Sequence, residues 1–135
     1  MNSARIGMIA MGLAAMVGGL ACGSDSGTGT TTGTATVSLV TPNADDGAVL
    51  VKLTGPGVAN PQPGSSAYDV YFRVVSADEL RAMVVGDLSN GVLLTVGVGA
   101  VGSIGQYSGT VVEVASRTDV LRTSLTGYSL AFAAQ

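Results

Sequence analysis

The chain has 135 residues, of which 47% are hydrophobic and 11% charged, with a formal charge of -3, no His, no Trp and one Cys. That length allows one modest domain. The missing His removes the commonest general base and transition-metal ligand, and the lone Cys excludes an internal disulfide and every multi-cysteine metal cluster. The acidic balance gives no basic footprint for nucleic acid.

Residues 1–22 begin Met1-Asn-Ser-Ala-Arg5, continue through the apolar run Ile6 to Leu20 and end at Ala21-Cys22. Fifteen of these 22 residues are hydrophobic, and four of the five Met lie here. A short positive region, an apolar stretch and a small-residue exit describe a secretory signal peptide. As a membrane span the segment is short, and Gly12, Gly18 and Gly19 interrupt it.

Cys22 directly follows the apolar run and precedes Gly23-Ser24-Asp25. The arrangement resembles bacterial lipoproteins, whose signal ends at a cysteine that is lipid-modified at its thiol and becomes the first mature residue. The usual pattern has Leu three positions before the Cys; here Leu20 stands two before and Gly19 three before. Gly19 and Ala21 also suit ordinary signal cleavage, which would release a soluble protein. The resemblance implies an exported protein in the bacterial cell envelope, with the membrane as partner through lipid on Cys22. Each buried lipid methylene contributes about 0.8 kcal/mol, and two or more chains hold stably.

Residues 23–36 are Gly, Ser or Thr at twelve of fourteen positions and predict a flexible linker. Its root-mean-square reach is about 20 Å, with an extended limit of about 50 Å.

From residue 37 to 135 the composition predicts one β domain. Eighteen of the nineteen Val lie after residue 22, and branched residues alternate between Gly, Pro and Asn punctuation. Strands are predicted near 35–40, 48–54, 67–75, 80–86, 91–98, 107–115 and 127–133. Val49, Val51 and Leu53 alternate with Leu50, Lys52 and Thr54. Tyr68, Val70, Phe72 and Val74 form a fully apolar face opposite the mixed Asp69, Tyr71, Arg73 and Val75, so Tyr68 and Phe72 are assigned to the core. Tyr128, Leu130 and Phe132 continue the pattern. Thr41 to Gly47, Gly55-Pro56-Gly57 and Asn60-Pro61-Gln62-Pro63-Gly64 read as turns. Asp87-Leu88-Ser89-Asn90-Gly91 reads as a hairpin joining two paired strands.

Ser76-Ala77-Asp78-Glu79 has capping-box spacing, and Leu80, Met83 and Val84 share a helix face. Met83-Val84-Val85 before a turn favours a strand, with a helical turn at 76–80 as the alternative. Seven closely spaced strands in about 99 residues predict an all-β fold, an Ig-like or jelly-roll-type antiparallel β-sandwich.

The order Gly47-Ala-Val-Leu-Val-Lys-Leu53, Gly86-Asp-Leu88, Gly91-Val-Leu-Leu-Thr-Val96, then Tyr107 leading to Val111-Val-Glu-Val114, is similar to cohesin-like modules over residues 36–132. Those modules bind partner proteins, and related sandwiches bind carbohydrate. The resemblance is one of strand pattern and transfers no contact residue.

Chemistry-bearing motifs are sparse. Gly97-Val-Gly99-Ala-Val-Gly102 matches the dinucleotide fingerprint, but the Gly-rich Ser103 to Gly109 that follows is a poor helix former, so a loop or bulged strand end is expected. Asn43, Asp45 and Asp46 are first of all turn formers, with a weak Ca²⁺ site as the alternative. No Gly-x-Ser-x-Gly elbow exists, Lys52 is the only lysine, and the carboxylate pairs Glu113/Asp119 and Asp78/Glu79 qualify only by type. The chain is therefore expected to have no catalytic residue, metal or cofactor. It is expected to act as a binding module for a protein or carbohydrate partner and not for nucleic acid. The alternatives are a structural envelope component and a secreted hydrolase. Among the tyrosines, Tyr71, between Asp69 and Arg73, is the candidate ligand contact.

Replacing Cys22 with Ser is expected to move the protein from the membrane fraction to the soluble fraction. Unchanged fractionation by immunoblot would remove the lipid anchor.

Overall fold

A computed structural model describes residues 30–135. The predicted signal segment, Cys22 and the first half of the Gly/Ser/Thr-rich stretch lie outside the described residues. Eight strands form: β1 (Gly33–Val40), β2 (Asp46–Thr54), β3 (Ala59–Pro63), β4 (Asp69–Ser76), β5 (Glu79–Leu88), β6 (Gly91–Val98), β7 (Ser108–Ser116) and β8 (Ser129–Ala134). A 3-10 helix, Val101–Gln106, precedes β7.

The strands make two antiparallel four-stranded sheets, ordered β3-β6-β1-β8 and β4-β5-β2-β7 and hereafter called the first and second sheet. Period-two alternation dictates which side chains meet between them. Val37 and Leu39 of β1 are buried, as are Val49, Val51 and Leu53 of β2 and Leu80, Ala82 and Val84 of β5. Leu93, Leu94 and Val96 of β6 complete the centre of the core, and Leu130 and Phe132 of β8 pack against it.

Several local expectations give way to tertiary constraints. β1 begins at Gly33, so the last four residues of the predicted linker are strand. Ala35 is fully buried, and pairing with both β6 and β8 outweighs the low apolar content of this stretch. Eight strands form where seven were expected, because the run read as a turn around Asn60 is β3. Pro61 and Pro63 are accommodated because β3 is an edge strand, where a missing N–H need not break a ladder. The segment at 76–80 is a hairpin turn, with Ala77 and Asp78 between β4 and β5, and the helical alternative does not form.

The predicted hairpin at Asp87 to Gly91 is also corrected. β5 belongs to the second sheet and β6 to the first, so Ser89 and Asn90 carry the chain between sheets. β5 is already paired on both sides by β4 and β2. The Asn90 side chain accepts a hydrogen bond from the Thr41 amide at 2.7 Å, tying this crossing to the end of β1.

One side of the sandwich is closed by Tyr107. Its hydroxyl donates to the Pro56 carbonyl at 2.7 Å and accepts from the Ala100 amide at 2.9 Å. Its ring lies against Gly55, whose φ of +148° is one that L side chains rarely adopt. The Tyr107 and Phe132 ring centroids are 6.0 Å apart, joining this corner to β8. The opposite side, between β3 and β4, is open. Phe72 and Val74 occupy core-facing positions opposite Ala82 and Leu80, yet remain 50% and 54% exposed. The five-residue β3 does not cover the inner surface of β4 at these positions. The assignment of Phe72 to the core is thus corrected, whereas Tyr68 is half-buried and packs on the core.

Tyr107→Phe is expected to cost about 1–3 kcal/mol, because it strands the buried Ala100 amide, whereas the Pro56 carbonyl keeps its bond from the Gly99 amide. Gly55→Ala should cost more, since its Cβ would meet the Tyr107 ring. Thermal unfolding measures both; wild-type melting temperatures for the two variants would show that this corner carries no stability.

Candidate binding face

The outer surface of the second sheet collects side chains that the core pattern leaves outside. Because opposed residues in antiparallel strands share a face, the register places them in transverse rows. One row runs Tyr71, Met83, Leu50 and Glu113 across β4, β5, β2 and β7. The next runs Arg73, Arg81, Lys52 and Thr110 across the same strands. Tyr71 is 59% exposed and Met83 is 42% exposed. Next to this apolar row lies a dimple of about 90 Å³ lined by Leu50, Met83, Ala115 and Leu121 among others. Such a hollow admits one apolar side chain or a ring edge.

Three of the six cations in the chain stand in the second row, although the net charge is -3. Neighbouring strands are about 4.8 Å apart, so the three charges cross about 10 Å of sheet. Like charges directly opposite are unfavourable. Arg81 is relieved by Glu79 at 3.5 Å, whereas among the described residues neither Arg73 nor Lys52 has an acidic partner within ion-pair distance. An anionic ligand lying along this row would relieve the repulsion, and guanidinium groups match carboxylates in a two-point fork.

The remaining candidates serve the fold. The Asp46 carboxylate is 1% exposed and accepts from four donors. Thr41 and Tyr128 hydroxyls donate to one oxygen, the latter at 2.8 Å. Arg122 donates from two nitrogens to the other, at 3.0 and 2.8 Å. Asp45 also pairs with Arg122, and the Asn43 amide donates to the Tyr128 hydroxyl at 2.7 Å. The predicted turn residues Asn43, Asp45 and Asp46 are therefore engaged with an arginine and a tyrosine. Among the described residues no group of three His, Cys, Asp or Glu side chains comes together in a metal-holding arrangement.

Burial pushes the Asp46 carboxyl up, but the hydrogen bonds from Thr41, Tyr128 and Arg122, with the Arg122 charge, outweigh it and hold the group below its ordinary value. The same contacts, first those to Asp46 and then Asp45, raise the Arg122 guanidinium.

The carboxylate pairs named from sequence are dispersed. Glu113 lies on the outer sheet face, and Asp119 lines an open cleft of about 310 Å³ with Gly86, Asp87 and Arg117. The cation in that cleft, Arg117, is paired with Asp87 at 2.9 Å. Asp78 accepts from the Gly57 amide at 3.3 Å, and Glu79 pairs with Arg81. The Gly97 to Gly102 run ends β6 and enters the 3-10 helix, with the Gly99 amide donating to Pro56 at 2.9 Å. Its glycines allow close backbone packing, and among the described residues no βαβ unit surrounds them.

Tyr71 is thus the one named ligand-contact candidate that lies on this face; Arg81, Lys52 and Met83 were not singled out as contacts from sequence. Their grouping depends on register between β4, β5 and β2, which composition alone does not encode. Family models, curated proteins and solved structures give no match to this chain.

Since the folded Asp46 carboxyl titrates below its ordinary 3.8, its ionic contribution is present above about pH 4 and lost as pH falls through the folded value. Asp46→Asn is expected to cost about 1–3 kcal/mol at neutral pH. Its melting temperature should also fall less steeply than wild type on acidification from pH 5 to pH 3. Parallel pH profiles for the two proteins would show that Asp46 is not the titrating group.

Proposed function

We propose that this chain is an exported, lipid-anchored protein of the bacterial cell envelope whose sandwich is a non-catalytic binding module. In this reading Cys22 carries the lipid, the Gly/Ser/Thr-rich stretch spaces the domain from the membrane, and the sandwich is cohesin-like in type. The ligand is a protein or glycan presenting negative charge. The observation that carries the reading is the adjacency of the Tyr71–Met83–Leu50 row to the Arg73–Arg81–Lys52 row on one solvent face. Tyrosine and arginine dominate interface energetics, and an aromatic plane also stacks on sugars. A structural envelope role stands as the second reading, favoured by the open edge of β4.

Two probes separate the ligand classes: poly-glutamate for an acidic protein segment and alginate for an acidic glycan. Wild-type protein should bind one of them, more weakly as salt rises. Lys52→Glu with Arg81→Gln should weaken binding about 3- to 10-fold, in keeping with exposed ion pairs. Binding to neither probe at low salt, or equal binding by the double variant, defeats the reading.

A further inference from the structure

The sandwich has four edge strands, and they are not alike. β3 is five residues long and contains two prolines, and β8 is six residues long. The free edge of β7 is partly occupied: Leu121 bridges Ala115, Ser116 donates to the Val120 carbonyl at 2.9 Å, and Arg122 donates to the Val114 carbonyl at 2.8 Å. Short strands, prolines and covering segments all discourage edge-to-edge pairing. β4 has none of these protections. It is eight residues long, contains no proline, and carries Tyr71, Phe72, Val74 and Val75 at 43–59% exposure. Its outer edge has no strand partner among the described residues. A row of unpaired peptide groups beside exposed apolar side chains is a template for another strand.

We propose that the partner is β4 of a second copy of this chain, paired antiparallel about a two-fold axis at Tyr71. The charge order of the strand selects this register. Asp69 lies two residues before Tyr71 and Arg73 two residues after it, all on the outer face. Centring on Tyr71 places each Asp69 opposite Arg73 of the other copy. Centring on Arg73 opposes two arginines, and centring on Asp69 opposes two aspartates. Centring on Phe72 or Val70 leaves both charges opposite uncharged side chains.

The Tyr71 register also accounts for two otherwise unsatisfied features. On the inner face it sets Val70 against Phe72 and Tyr68 against Val74, so the half-exposed Phe72 and Val74 gain the apolar cover that β3 does not provide. On the outer face it continues the row Lys52, Arg81, Arg73 with the carboxylate of the other copy's Asp69, supplying Arg73 with a counter-charge. The two four-stranded sheets then join into one sheet of eight strands. The pairing is isologous, so it closes as a dimer and leaves no equivalent edge for further growth. It does not depend on the anionic-ligand reading, whose test alters Lys52 and Arg81 instead.

The test is charge exchange on the full chain, followed by sedimentation equilibrium in density-matched detergent. Wild type is expected to be dimeric. Arg73→Asp and Asp69→Arg should each weaken self-association at least about tenfold, because attraction at both pairs becomes repulsion. Both sites are exposed, and circular dichroism will show that each variant keeps the fold. Mixing the two variants in equal amounts should restore a one-to-one dimer, since each Asp then faces an Arg. A monomeric wild type, a dimer indifferent to both substitutions, or a mixture that fails to re-associate would overturn the proposal.

Discussion

A carboxylate buried at a corner organises the molecule. Asp46 opens β2 immediately after the chain leaves β1, and its two oxygens hold Thr41 from the turn just crossed and Arg122 and Tyr128 from the β7–β8 connection. An ionised group withdrawn from water is tolerable only when its lone pairs are satisfied, so all four donors must be in place together. That requirement fixes where two connections pass relative to each other. It thereby sets β1, the strand between β6 and β8, back to back with β2, the strand between β5 and β7. The apolar core fills the space between these two strands.

The inward alternation of β2, the outward position of Tyr71 and the all-β class are legible in the sequence because each depends on local period-two patterning. What could not be read depends on partners distant along the chain. Asp87 to Gly91 has the composition of a hairpin turn, yet the strands it joins lie in different sheets, because β2 had already taken the free side of β5. Asn60 to Pro63 has the composition of a loop, yet an edge position admits prolines. Phe72 obeys the alternation of its strand and faces inward, but inward is not buried where the opposite sheet stops short. The cation row is the clearest instance: Lys52, Arg73 and Arg81 are unremarkable singly, and only register brings them into line.

The two flanks of the sandwich differ for the same reason. On one flank Tyr107 bridges Pro56 and Ala100, Phe132 lies beside it, and Gly109 lets Leu130 approach closely. On the other, β4 projects past a short strand with apolar side chains uncovered. The chain enters through β1 in the first sheet, whereas the charged and aromatic rows are on the second. The described chain therefore starts in one layer and exposes these rows on the other, so the outer face of the second sheet is not obstructed by β1.

The pairing scheme also bears on how the chain reaches this state. Only β4 and β5 are joined by a tight turn and paired with each other; β1 must find β6 and β8, and β2 must find β5 and β7, across long intervening stretches. Long-range antiparallel pairing demands loop closure before it returns stability, which places folding in the slower, millisecond-to-second regime of β-sandwiches. The β4–β5 hairpin is the one element able to form early. Its uncovered apolar side chains are therefore a hazard for a chain still waiting for β2, and the speed with which β2 docks limits how long the nascent sheet can stick to its neighbours.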